Sequence, residues 1–191
     1  MKKIVGTLLK ISAVLIVVAV IFMMIGMNSM KADDKKAADS SPGSNVVFDA
    51  MQIAGISEKE LISLLGEPKQ KEEWNWLYGD ATYPVTTFEY QDGQNSYEVL
   101  IYEAKVIRLN YFSEKYNNIN GKSLTYKKKT DLLRMFNITA GDELQVKGDT
   151  GYALRFGTVN EKIADFWVAL MDDEAKTVDE VKITYDKRFS E

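Results

Sequence analysis

The chain holds neither histidine nor cysteine among its 191 residues. A Ser-His-Asp triad, a thiolate nucleophile, a disulfide framework and a Cys/His zinc or iron–sulfur site are therefore excluded. The side chain that most often moves protons near neutral pH is missing too. Asp172-Asp173-Glu174 lacks the spread of ligands and the bend glycine of a calcium loop. Carboxylates alone could support glycoside cleavage, but no spacing brings two together. No glycine-rich phosphate motif occurs, and Gly141-Asp142 and Gly151-Tyr152 read as turns. Asn137-Ile138-Thr139 matches a glycosylation sequon, a short motif that recurs by chance. The reading is of a non-enzyme without metal or cofactor.

What remains for recognition is aromatic and arginine side chains. Trp74, Trp76 and Tyr78 alternate along one strand face. Three aromatics in that pattern read as core against a helix, with partner contact as the alternative. Trp167 differs. Phe166, Val168 and Leu170 form the inward set, so Trp167 points outward with Asp165 and Ala169. Arg155 and Lys182 on neighbouring strands would flank it as a cation–π cluster. Arg108 is expected on the open face of the first sheet, opposite Ile107 and Leu109, and Arg155 on that of the second. The candidate partner-binding set is Trp74, Trp76, Arg108, Arg155 and Trp167.

The elements that must position these residues follow from patterning. Met1 to Met30 is strongly apolar, and no charge falls between Ile11 and Met27. A stretch of about 20 apolar residues spans a bilayer as a helix. Lys2, Lys3 and Lys10 precede it, which favours the N-terminus inside and the remainder outside the cytoplasm. A signal anchor over 1–30 is expected, with a cleaved signal peptide, and hence secretion, as its rival. Residues 31–45 (KADDKKAADSSPGSN) read as a flexible linker.

Residues 45–191 carry 18 basic and 25 acidic side chains, a formal charge of −7. That argues against nucleic acid as a partner. Asn45 to Ala54 has helical apolar spacing. Ser57 with Glu60 forms a capping box before Leu61, Ile62, Leu64 and Leu65, and Gly66 with Pro68 ends that helix. From Gln70 the period becomes two, with four strands closing at Lys105 to Phe112. A second helix over 131–136 and four more strands to Tyr185 repeat the plan at an offset near 73. The expected fold class is α+β: an N-terminal transmembrane helix, then two helix-plus-four-stranded antiparallel sheet modules, residues 46–116 and 123–191.

The Ile56-Ser57 start, the Leu64-Leu65-Gly66-Glu67-Pro68 helix end, the aromatic strand and Lys105-Val106-Ile107 carry a resemblance. The pattern resembles the small repeat module of β-lactamase inhibitor proteins and of small outer-membrane assembly lipoproteins. The resemblance covers 46–112 and, more loosely, 130–185, where Asn137-Ile138 replaces the Gly-x-Pro ending. It implies binding of a protein through the sheet, and carries over only the structural cap at Gly66 and Pro68. The expected function is a membrane-anchored, extracytoplasmic, protein-binding module that engages an envelope protein. The alternative is a sensor of cell-wall glycan or a small molecule, using the aromatics as stacking platforms.

Overall fold

The computed structural model describes residues 46–92, 95–113, 124–172 and 177–190. The first helix, α1 (Glu58–Leu65), starts as the sequence dictates: the Glu60 amide donates to Ser57 Oγ at 3.3 Å, and the Ser57 amide donates to Glu60 Oε2 at 2.8 Å. Gly66 ends it at φ 84°, a conformation that costs a side chain dearly. Strands β1 (Gln70–Tyr78), β2 (Ala81–Asp92), β3 (Asn95–Tyr102) and β4 (Lys105–Phe112) follow as a meander. Helix α2 (Lys129–Met135) then precedes β5 (Gln145–Asp149), β6 (Ala153–Gly157), β7 (Asp165–Asp172) and β8 (Thr177–Thr184). A 3-10 turn, Lys187–Phe189, comes last.

The two runs of strands do not make two modules. All eight strands form one antiparallel sheet in the order β1-β2-β3-β4-β8-β7-β6-β5. The joint is β4 against β8, from Arg108↔Thr184 to Phe112↔Glu180. One apolar cluster runs through both halves and includes Leu61, Leu109, Leu132, Phe136, Phe166 and Ile183. The expectation of two separate helix-plus-sheet modules is corrected accordingly. Pairing β4 with β8 satisfies the backbone groups of both last strands, which would otherwise be exposed edges. The expected transmembrane helix over 1–30 lies outside the described residues. Among the described residues, no helix is long and apolar enough to cross a membrane.

A second correction concerns residues 46–54, which form turns rather than a helix. The Val47 amide donates to the Met135 carbonyl at 2.7 Å, and the Ala50 amide to the Phe136 carbonyl at 3.1 Å. Backbone donors that a helix would use internally instead cap the end of α2. The apolar spacing is real, because Ala50 and Ile53 are fully buried. It serves a wrapped segment, pinned further by Tyr185 Oη donating to the Ala50 carbonyl at 3.0 Å.

Candidate functional site: the second face of the sheet

Strand side chains alternate between faces, so the register assigns each residue a side. One face carries Phe88, Val99, Leu109, Val181, Phe166 and Phe156 and packs under α1 and α2. The opposite face carries all five candidate residues. Across it runs one row in register: Gln70, Glu89, Glu98, Asn110, Lys182, Trp167, Arg155 and Gly148. The next row reads Glu72, Thr87, Leu100, Arg108, Thr184, Asp165, Gly157 and Gln145.

The right-hand part of the first row is a cation–aromatic strip. Trp167 pairs with Arg155 on one side and Lys182 on the other. Lys182 Nζ lies 4.8 Å from the Trp167 ring centroid and 3.5 Å from Glu180. Arg155 Nε donates to Asp165 Oδ1 at 2.8 Å, and Asp165 is only 5% exposed. Burial raises the Glu180 carboxyl above its ordinary range; Lys182 opposes this, and Glu98 and Asp179 add to it. Lys147 reaches the same face: a Cβ on Gly157 would lie 2.2 Å from Lys147 Cε. The far end of the lysine side chain therefore lies directly over the Gly157 backbone.

The other corner is closed. Phe189 of the C-terminal turn is fully buried with Val85, Leu100 and Ile107, and its ring meets Trp76, Tyr83 and Tyr102 at 5.0–5.3 Å. Arg108 lies beneath this lid, 6% exposed. Its Nη2 donates to the Phe189 carbonyl at 2.6 Å and its Nε to Thr184 Oγ1 at 3.1 Å. Its guanidinium stacks 4.4 Å from the Trp76 ring centroid. Arg108 was expected at an open surface, and the C-terminal turn is what covers it.

Trp74 stays 39% exposed and donates from Nε1 to Thr87 Oγ1 at 2.8 Å. It stacks on Trp76 at 6.0 Å, and Trp76 is half-buried. These two rings face away from the helices, toward the C-terminal turn. Sequence reasoning missed Phe189, Tyr83, Glu89, Glu98 and Lys147. An isolated Phe in Lys187-Arg188-Phe189-Ser190 has no periodicity to mark it, and acids on a strand read as solvated. Among the described residues, no group of His, Cys, Asp or Glu is placed to hold a metal ion.

No family model matches the chain, and no curated protein is similar to it. Solved structures that match part of the chain include the following two. One is a cysteine-rich secretory protein of Staphylococcus aureus subsp. aureus Mu50, at 15% identity and TM-score 0.41, covering 75% of this chain and 49% of that one. The other is an extracellular protein containing an SCP domain from Bacillus anthracis str. Ames, at 14% identity and TM-score 0.40, covering 78% and 50%. The chain thus spans about half the length of the structures it matches. Likeness of that depth identifies neither a family nor a function.

Proposed function

We propose that residues 46–191 form a non-enzymatic protein-binding module acting outside the cytoplasm, with the sheet face bearing Trp167 as its contact surface. One observation carries this: Arg155, Trp167 and Lys182 stand in register on the face opposite α1 and α2. An amphipathic ring between two cations is the side-chain type that concentrates binding energy at interfaces. The apolar Met1 to Met30 segment supports placement outside the cytoplasm, by a retained anchor or after cleavage. Resistance to alkaline extraction from membranes separates the two.

The test is capture from detergent-solubilised envelope by the full chain and by a Trp167→Ala variant. Capture of a discrete protein should fall at least tenfold in the variant, with the melting temperature nearly unchanged. A large drop in melting temperature would make Trp167 structural and remove the reading. A glycan ligand has one observation in its favour, the exposed Trp74 ring stacked on Trp76. It predicts quenching of tryptophan fluorescence by wall fragments that Trp74→Ala abolishes.

A further inference from the structure

We infer that the outer edge of β1 is a pairing site for a second copy of this chain. Two β1 strands join antiparallel about a two-fold axis at Trp74, and the two sheets become one. Trp167 takes no part in this contact, because it stands on β7, toward the other end of the sheet.

The two edge strands of the sheet, β1 and β5, differ. β5 has five residues, a break in register between Val146 and Gly148, and Lys147 at its middle. Short, irregular, lysine-bearing edges resist pairing with another chain. β1 has nine residues, no proline, and an unbroken register with β2. It also carries Trp74, Leu77 and Tyr78, all exposed, Leu77 at 72%.

The hairpin turn fixes which backbone groups of β1 are free. Gly79-Asp80 is a two-residue loop, so Tyr78 and Ala81 flank it as a hydrogen-bonded pair. Bonded and non-bonded pairs alternate from there, which makes Trp76↔Tyr83, Trp74↔Val85, Glu72↔Thr87 and Gln70↔Glu89 the bonded ones. Pro84, which has no N–H, duly falls opposite Asn75 at a non-bonded position. Lys71, Glu73, Asn75 and Leu77 therefore aim their N–H and C=O groups out of the edge. Among the described residues, no other group bonds to them. The C-terminal turn packs Phe189 on Val85, Leu100 and Ile107 and accepts a bond from Tyr78 Oη, but it makes no backbone bond to β1.

The side chains select a second copy and its register. The charges of β1 lie in Lys71 to Glu73, and Trp74 to Tyr78 has none. Antiparallel pairing about Trp74 sets the charged half against the uncharged half, and every residue of β1 finds a partner. Lys71 lies opposite Leu77 of the partner subunit, Glu72 opposite Trp76 of the partner subunit, and Glu73 opposite Asn75 of the partner subunit. The pairs at Lys71 and Glu73 are the bonded ones, each made twice by the two-fold, for about eight new hydrogen bonds. Trp74 meets Trp74 of the partner subunit at a non-bonded position, where side chains come closest, and Trp76 stacks on each ring. An axis at Glu73 would set two carboxylates opposite each other, and an axis at Asn75 would leave Gln70 and Lys71 unpaired. A strand of nine residues is about 30 Å long. That is the small end of specific interfaces, so a weak, reversible dimer is expected.

The experiment follows the full chain in detergent by sedimentation up to about 1 mM, and by hydrogen exchange resolved to single amides over the same range. A monomer–dimer equilibrium is expected. Exchange should slow with concentration at Lys71, Glu73, Asn75 and Leu77 and not at Glu72, Trp74 and Trp76. Leu77→Lys sets a cation opposite Lys71 of the partner subunit and should weaken the dimer at least tenfold, with the melting temperature unchanged. Leu77→Glu sets an anion there and should keep the affinity within about threefold, although it adds to a net charge that is already negative. A chain that stays monomeric, a dimer equally tolerant of both changes, or slowing confined to other amides overturns the proposal. Slowing of the same four amides by another envelope protein, in a chain that does not self-associate, would assign the edge to that protein and overturn it too. Trp167→Ala should leave the dimer intact, so failure of this pairing and failure of the Trp167 contact surface are read separately.

Discussion

Arg108 and Phe189, 81 residues apart, are joined by a 2.6 Å hydrogen bond from the guanidinium to the Phe189 carbonyl, beneath the ring that closes one corner of the second face. The bond ties the last turn of the described chain to the strand at the sheet's centre. A buried guanidinium stays charged, so its stabilisation rests on the acceptors and rings around it. Removing it leaves a buried carbonyl unpaired, which costs more than the bond itself contributes.

Arg108→Met should therefore destabilise the domain by about 2–4 kcal/mol. Phe189→Ala should cost about 3–5 kcal/mol through the cavity left against Trp76, Tyr83 and Tyr102. Denaturant unfolding measures both. The two changes act on one unit, so the double variant should lose clearly less than their sum. Strict additivity would show that the turn and Arg108 are independent. Trp74→Ala, on the rim of the same cluster, should cost about 1 kcal/mol or less.

The strip on the other half of the face makes a different prediction. Lys182→Ala and Trp167→Ala should each change stability by under about 1 kcal/mol. A double-mutant cycle between them should return a coupling of roughly 0.5 kcal/mol, the usual value for an exposed cation–π pair. Arg155→Ala should be the costlier change, because it strands the nearly buried Asp165 carboxylate. About 3 kcal/mol is expected, and Arg155→Ala/Asp165→Ala should recover much of it. Equal losses for Arg155→Ala and Lys182→Ala would contradict this ordering.

Local rules carried a good part of this chain, and their limit is physical. Ser57 and Glu60 lie three residues apart, so their reciprocal bonds are a matter of sequence alone. The strand expected over Lys105 to Phe112 spans those residues, although a bulge at Ile107 breaks the alternation and leaves Val106, Ile107, Arg108 and Leu109 all buried. Alternation along β7 set Trp167 outward between Arg155 and Lys182. The union of the two halves is a contact between residues more than 65 positions apart, and nothing local in β4 or β8 names its partner. Arg108 does lie opposite Leu109, but Ile107, expected opposite it too, is carried by the bulge into the same Phe189 cluster, and Arg108 was misjudged in exposure because a single Phe at the far end of the chain covers it. Residues 46–54 show the converse error: helical spacing of apolar residues arose from a turn-rich segment wrapped over α2.

The ends of α1 test the local rules directly. Ser57→Ala removes the acceptor for the Glu60 amide and should cost about 1 kcal/mol. Gly66 sits at φ 84° and ψ −175°, a region essentially closed to other residues. Although nothing would touch an added Cβ there, Gly66→Ala should cost about 1–3 kcal/mol from backbone strain alone. For a domain of this size, 1 kcal/mol lowers the melting temperature by about 2–4 °C. A Gly66→Ala variant that melts with the native protein would show that the turn relaxes away from this conformation.

Two carboxylates should give the stability–pH curve opposing slopes. Hydrogen bonds from the Arg188 side chain hold Asp186 below the ordinary aspartate range, against the pull of burial. A depressed acid contributes stability above its unfolded pKa, and that contribution is lost as pH falls through the folded value. Asp186 also accepts from the Arg188 amide at 2.9 Å at the start of the C-terminal turn. Acidification below the ordinary aspartate range should therefore loosen the turn and shift the emission of Trp76, which packs on Phe189. Asp186→Asn should remove that acid step. Glu180 has the reverse sign. Burial first, then Glu98 and Asp179, raise its pKa, with Lys182 opposing. Its contribution is full below the ordinary glutamate value and is lost as pH rises through the raised one. Glu180→Gln should thus remove a loss of stability that the native protein shows on going from acid toward neutral pH. Urea unfolding of the two variants between pH 3 and pH 7 separates the effects, and matching slopes in the native protein and Glu180→Gln would refute the assignment.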